Sequence, residues 1–199
     1  NLTQERIMNI WENEQGVPNM TEIHRTSGSN AWVNITFGCN NYCSYCIVPY
    51  VRGRERSRNF NELVNECANL IKSGYKSITL LGQNVNFYGN DVEDKNVNFA
   101  NLLKEIASIE GEFVLKFMTS HPKDLTEEVI NVIATYDKVS KAVHLPVQSG
   151  SNKTLSAMER GYTIEHYLNT VKLLKERVPN LVLSSDFIVG FPGESEEDF

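Results

Sequence analysis

The chain alternates between two hydrophobic periods. Residues 32–37 place apolar and polar side chains in turn, the rhythm of a half-buried strand. Residues 59–72 change to the helical period: Leu63, Val64, Cys67, Leu70 and Ile71 share one face, and Gly74 stands where the helix should stop. The same exchange repeats along the chain. Strands are predicted over residues 77–81, 112–118, 142–147 and 181–189, with helices over 98–109, 126–135 and 163–177. Thr126 is the expected N-cap of one helix, and Ser195, followed by three acids, of a last one cut short.

Five strand–helix units in this order predict an α/β fold with a parallel sheet covered by helices. Right-handed crossovers curl such units into an open barrel or a doubly wound sheet. In either, ligands gather at the carboxyl ends of the strands. Polar residues follow those ends here: Cys39 onward, Gly82-Gln83-Asn84, Ser120-His121, Gln148-Ser149 and Gly190. Residues 1–30 are polar and aperiodic; we expect an interdomain linker or barrel-capping segment before a core domain over 31–199.

Composition adds bounds. The 199 residues, 41% hydrophobic and 22% charged, are those of a globular domain. No apolar run is long enough to span a membrane, and residues 1–20 do not read as a signal peptide, so a cytoplasmic location is expected. A net charge of −6 counts against strong nucleic-acid binding by this segment alone. The chain opens on Asn1 and ends one turn into a putting-together of acids at Phe199, which suggests a piece of a longer protein.

Three of the four cysteines, Cys39, Cys43 and Cys46, form Cys-x3-Cys-x2-Cys; Cys67 sits alone on an apolar helix face as a core thiol. Iron takes thiolate ligands, and three on a tight loop can hold three irons of a cubane while the fourth stays open. Structural zinc would need a fourth ligand, and none lies nearby in sequence. A disulfide would leave one thiol over.

The motif at the end of a first strand resembles the radical S-adenosylmethionine (SAM) superfamily. Residues 35–58 are similar to its methylthiotransferases, a likeness that continues through residues 80–86, 119–122, 144–151 and 185–194. The resemblance implies a partial (β/α) barrel, stopping here before its sixth strand. It implies that Cys39, Cys43 and Cys46 ligate a 4Fe-4S cluster that binds SAM. Tyr45 matches an aromatic position near the adenine, or else packs the loop. Gln83, or Asn84, stands where the superfamily often carries a Glu for the SAM amino group; the charge is missing here. Gln148 and Ser149 resemble a ribose-contacting region, or a strand-to-helix cap. Ile188-Val189-Gly190 fits an adenine-packing stretch, or a plain buried strand. Arg160 resembles a partner of the SAM carboxylate, or a surface Arg paired with Glu159. Arg52, Arg54, Arg56 and Arg58 alternate; if extended, they face one way as an RNA surface beside Tyr50, or form a solvated loop around Glu55. His121, His144 and His166 read as structural.

The resemblance also implies an activity: methylthiolation of C2 of N6-dimethylallyladenosine beside a tRNA anticodon, through a deoxyadenosyl radical, sulfur insertion and methyl transfer. It implies further domains outside this chain, namely an N-terminal domain with a second 4Fe-4S cluster and a C-terminal RNA-binding β-barrel. The expected partners are a tRNA anticodon stem-loop and an electron donor such as flavodoxin or ferredoxin, on a monomeric enzyme. Two other readings stand: a methylthiotransferase for threonylcarbamoyladenosine or a ribosomal protein, and a non-catalytic zinc-stabilised RNA-binding module.

Overall fold

The computed structural model describes residues 28–199, so the expected linker or capping segment lies outside the described residues as far as Ser27. The elements run β1 (Asn30–Asn34), β2 (Thr36–Phe37), α1 (Val48–Arg52), β3 (Arg56–Ser57), α2 (Phe60–Lys72), β4 (Ser77–Leu81), α3 (Phe99–Ala107), β5 (Val114–Phe117), α4 (Glu127–Thr135), β6 (Ala142–His144), α5 (Asn152–Ala157), α6 (Ile164–Arg177) and β7 (Val182–Ser184).

β1, β4 and β5 form a parallel sheet in that order. From β5 a parallel bridge joins Leu115 to Val139, just before β6; β6 then pairs in parallel with β7, and a further bridge joins Gln148 to Phe187. Each parallel strand thus lies beside the next one along the chain, and the order never reverses. A doubly wound sheet needs a reversal, so the open, singly wound barrel is the observed alternative. Among the described residues the ladder does not close.

The pleat decides what is buried. Ala31, Ile78 and Leu115 lie side by side in register, as do Val33, Leu80 and Phe117, and both rows are buried. Leu63 and Cys67 of α2, Leu102 and Ile106 of α3 and Ile130 and Ile133 of α4 join them in one core. Each such side chain stabilises the fold by about 1.5–3 kcal/mol when fully buried. The sheet's other face is more open, with Trp32, Val114 and Lys116 exposed although Thr79 is buried.

Side-chain caps fix where the helices start. Asn59, Asn98, Thr126, Ser151 and Thr163 each accept a backbone N–H from the first turn of α2 to α6. Each such cap contributes on the order of 1 kcal/mol.

Several sequence expectations change. The strand expected over residues 32–37 starts earlier and splits: β1 ends at Asn34, and Thr36–Phe37 pair antiparallel with β3. That small ribbon delivers the chain into the cysteine loop and out of it. Of the strand expected over 181–189, only residues 182–184 are regular. Ser195 caps no helix; its N–H and hydroxyl bond the Asp198 carboxylate in a turn. The four arginines do not share one extended face. Arg52 ends α1, Arg56 lies in β3, and Arg58 is buried, where it pairs with Glu66 at 2.9 Å and donates to the Asn34 carbonyl at 2.9 Å.

Arg58 therefore belongs to stability and Arg52 does not. Arg58→Ala leaves Glu66 and the Asn34 carbonyl without this partner and is expected to cost about 3 kcal/mol in denaturant unfolding. Arg52→Ala, at an exposed site, stays within about 0.5 kcal/mol of the parent.

Candidate active site at the strand carboxyl ends

The cysteine loop leaves β2 at Gly38. Its φ of +74° suits glycine, and a Cβ there would sit 2.2 Å from the Arg54 carbonyl oxygen. The loop's ends are tied to neighbouring segments. Gly38 N–H donates to Gln83 Oε1 at 3.2 Å, and Cys39 N–H to the Gly53 carbonyl at 3.3 Å. Cys46 N–H donates to the Cys43 carbonyl at 2.8 Å, which closes a turn around the second and third thiols. All three thiols are free; Cys43 is buried, and Cys39 and Cys46 are partly so. Burial pushes the Cys39 thiol up; the Asn41 N–H opposes this, while Glu55, Cys43 and Cys46 add to it.

Helix α5 provides the loop's anchor. It ends in a Schellman arrangement: Arg160 N–H reaches the Leu155 carbonyl at 3.1 Å, and Glu159 N–H the Ser156 carbonyl at 3.0 Å, with Glu159 left-handed at φ +55°. The last carbonyls of a helix lack internal partners. Ser44 supplies them: its N–H bonds Met158 at 3.1 Å and its hydroxyl bonds Ala157 at 3.0 Å. The turn also aims Arg160 inward. Its guanidinium donates to Cys43 Sγ at 3.3 Å, the Tyr45 hydroxyl at 3.2 Å and the Pro146 carbonyl at 3.2 Å. Arg160 is only 5% exposed, so the surface pairing with Glu159 falls. Nothing in the spacing of residues 43 and 160 signalled this contact.

Across the rim, the ends of β4 and β5 form a polar floor. The Gln83 amide oxygen is already engaged by Gly38 and so holds the cysteine loop. Asn84 is buried and donates to Asp124 Oδ2 at 2.7 Å. Lys123 Nζ reaches Asn41 Oδ1 at 2.7 Å, which ties the floor to the cysteine loop. His121 Nδ1 accepts the Lys123 N–H at 3.3 Å, so its proton sits on Nε2. Burial, then Arg160 and Lys123, lower the His121 pKa to about 2. Burial, then Asp91 and Asp124, raise Glu55 to about 8, so it is a neutral acid at pH 7. Glu55 is buried, contrary to the solvated-loop reading.

The remaining candidates lie on the far side of the rim. Gln148 takes a left-handed φ of +72° and pairs its backbone with Asp186 and Ile188. Ser149 Oγ accepts the Ser151 N–H beside the α5 cap. Ile188 is half-buried, while Val189 and Gly190 are exposed, so this is not a plain buried strand. Gly190 N–H donates to Glu194 Oε2 at 2.6 Å. His144 pairs with Asp186 at 3.2 Å, and His166 meets the Pro122 carbonyl at 3.3 Å. Cys67 is fully buried in the core, away from the rim set.

The donors suit a cluster better than a single ion. Among the described residues, no three of His, Cys, Asp and Glu converge as ligands of one metal ion. Structural zinc needs four on one point. A cubane instead takes each thiolate on its own iron. Three free thiols on a pinned loop, with a guanidinium against one of them, fit that second demand.

The neutral His121 has a thermodynamic signature. Unfolded, it binds a proton near 6.5; folded, it stays neutral down to about 2. Its contribution is full above pH 6.5 and is lost as pH falls toward 2. Calorimetry at pH 5 should show His121→Asn taking up about one proton fewer on unfolding than the parent, in which Glu55 contributes a release of opposite sign.

The comparisons agree with this geometry. The family model described as "Radical SAM superfamily" matches residues 33–199. A tRNA-2-methylthio-N(6)-dimethylallyladenosine synthase from Clostridium tetani is 54% identical over 97% of this chain and 42% of its own length. One from Carboxydothermus hydrogenoformans is 51% identical over 98% of this chain and 44% of its own length. The chain thus spans less than half of these relatives. Among solved structures, the radical SAM methyltransferase TsrM from Kitasatospora setae, with tryptophan and a SAM analogue bound, superposes with a TM-score of 0.66 at 22% identity, over 86% of this chain and 32% of that one. The cobalamin-dependent SAM radical enzyme OxsB gives 0.62 at 16% identity, over 79% and 23%. No helix among the described residues is long and apolar enough to cross a membrane. With the family model matched from β1 to the last residue, on a singly wound parallel fold whose rim carries the three-cysteine loop, the chain belongs to the radical SAM superfamily.

Proposed function

We propose that this chain is the radical SAM core of a methylthiotransferase that modifies N6-dimethylallyladenosine next to a tRNA anticodon. The observation that carries this reading is the identity of 50–54% to synthases of that name along nearly the whole chain, together with the pinned cysteine loop. Cys39, Cys43 and Cys46 would hold the 4Fe-4S cluster. Bound there, the cluster supplies the electron that opens the sulfonium carbon–sulfur bond of SAM. Ser44 and Arg160 keep the loop seated on α5, and Arg160 offsets thiolate charge at Cys43. Tyr45, Gln148, Arg160, Ile188 and Gly190 remain the proposed SAM contacts. Gln83 acts through the loop, since its amide oxygen already serves Gly38.

The rest of the enzyme lies on segments outside this chain, including the second cluster and the RNA-binding barrel. Beside the loop, exposed Tyr50 stacks edge-on with Tyr42 at 6.1 Å, next to exposed Arg52. Aromatic faces and arginines are what a single-stranded RNA loop binds. The electron donor is proposed to be a flavodoxin or ferredoxin, and the enzyme a cytoplasmic monomer.

Mass analysis of tRNA nucleosides tests the substrate. Deleting the gene should abolish 2-methylthio-N6-dimethylallyladenosine and accumulate its unthiolated precursor. Loss of the methylthio form of threonylcarbamoyladenosine instead, or of a ribosomal-protein modification, contradicts the assignment. In the anaerobically reconstituted full-length enzyme, Cys43→Ala should lose the bound cluster iron of this loop, whereas Cys67→Ala should retain it. Zinc retained in place of iron would favour the RNA-binding module.

A further inference from the structure

Four side chains at the carboxyl ends of β4 and β5 carry buried polar atoms that no other described residue satisfies. Asn84 is 1% exposed, Asn86 and His121 are 6% exposed, and Ser120 is 7% exposed. Asn84 Oδ1, both amide atoms of Asn86, Ser120 Oγ and His121 Nε2 have no hydrogen-bond partner. An unmade bond at a buried group costs roughly 1–3 kcal/mol. Several in one neighbourhood, on the rim where this fold class binds ligands, mark a place completed by something else.

Two of these atoms have a fixed chemical sense. The Asn84 amide is oriented because its Nδ2 donates to Asp124 Oδ2 at 2.7 Å, which leaves Oδ1 as an acceptor. His121 is oriented because Nδ1 accepts the Lys123 N–H, which leaves Nε2–H as a donor. The one turn over residues 122–124 sets both. It also brings the two side chains to one carboxylate oxygen, since Asp124 Oδ2 accepts from Asn84 Nδ2 and lies 3.9 Å from His121 Nδ1. The same turn reaches the cysteine loop through Lys123 and Asn41.

We propose that Asn84 and His121 read the hydrogen-bonding edge of an adenine base. One fixed acceptor beside one fixed donor, both uncharged, complements a neutral edge that offers a donor and an acceptor. Adenine presents its N6–H and a ring nitrogen in this way. A phosphate or carboxylate would ask for donors alone, and a metal for acceptors alone. An adenine alkylated once on N6 keeps one N–H, so an alkyl group there does not forbid the contact. Two sources share this chemistry, the adenine of SAM and an adenosine in RNA, and the RNA source rests on the function proposed above.

The test uses the anaerobically reconstituted full-length enzyme. His121→Asn keeps an acceptor for the Lys123 N–H and removes the Nε2–H; Asn84→Ser removes the acceptor. Binding of an anticodon stem-loop RNA carrying N6-dimethylallyladenosine is measured without SAM, and binding of SAM without RNA. Each variant is expected to weaken one of the two by about tenfold or more, with iron content unchanged. Loss confined to RNA assigns the edge to the substrate base; loss confined to SAM assigns it to the cofactor. A second measurement needs no variant: in the ligand that the variants weaken, an N6,N6-dialkylated adenine lacking the N–H should bind the parent enzyme more weakly than its N6-monoalkyl counterpart. A parent enzyme that binds SAM but no RNA sinks the tRNA reading, while the SAM arm still decides the site. Unchanged affinities in both arms, with the dialkyl and monoalkyl ligands equal, would overturn the proposal and leave internal water as the partner of these atoms.

Discussion

The site depends on one contact, the seating of the cysteine loop on the carboxyl end of α5. A short loop with three thiols repels itself when those thiols ionise, and it contains Tyr42 in a left-handed conformation at φ +49°. Left to itself, such a segment has no reason to hold one shape. Ser44 binds it to carbonyls that the helix end leaves unpaired, and Arg160 brings a positive charge to Cys43. Both depend on the Schellman turn of α5, so a feature of local helix chemistry fixes the geometry of the metal-binding candidates. Gln83 fixes the opposite end of the loop from β4.

The rim is otherwise built from neutral polar groups. His121 is held uncharged by burial, Glu55 is a protonated acid, and Asn84 and Asn86 are buried amides. Charge is carried by the cysteine loop, Arg160, Lys123 and Asp124. A low-dielectric surround of this kind strengthens the remaining interactions and keeps water from groups that carry out reactive chemistry. The sheet's order explains how these parts meet. Each parallel strand lies beside the next, so the ends of β1, β4, β5 and β6 arrive along one curved edge.

Much of the fold was legible because its signals are local. The Leu63, Cys67 and Leu70 stripe is the buried face of α2, and Thr126 caps α4 as its position implied. Cys39, Cys43 and Cys46 stood out by spacing alone. What the sequence could not show were relations between distant residues. Arg160 meets Cys43 across 117 positions, and Arg58 turns to Glu66 although Glu55 is nearer in sequence. The alternating arginines misled because alternation implies one face only in a continuous strand, and α1 and a loop interrupt them. The polar floor was legible only in part: Asn84 and Ser120-His121 stood out as polar strand ends, but Asp124 and its bond to Asn84 did not. Asn84, His121 and Asp124 look like turn residues until the parallel pairing of β4 and β5 sets their ends side by side.

Electron paramagnetic resonance of the reduced, anaerobically reconstituted full-length enzyme tests the central claim, with cysteines of the other domain replaced so that only this loop can hold a cluster. A signal from one 4Fe-4S centre that changes when SAM is added is the predicted result, as three thiolates leave one iron for the cofactor. A signal indifferent to SAM, or a loop that takes up zinc in preference to iron and sulfide, would contradict the account.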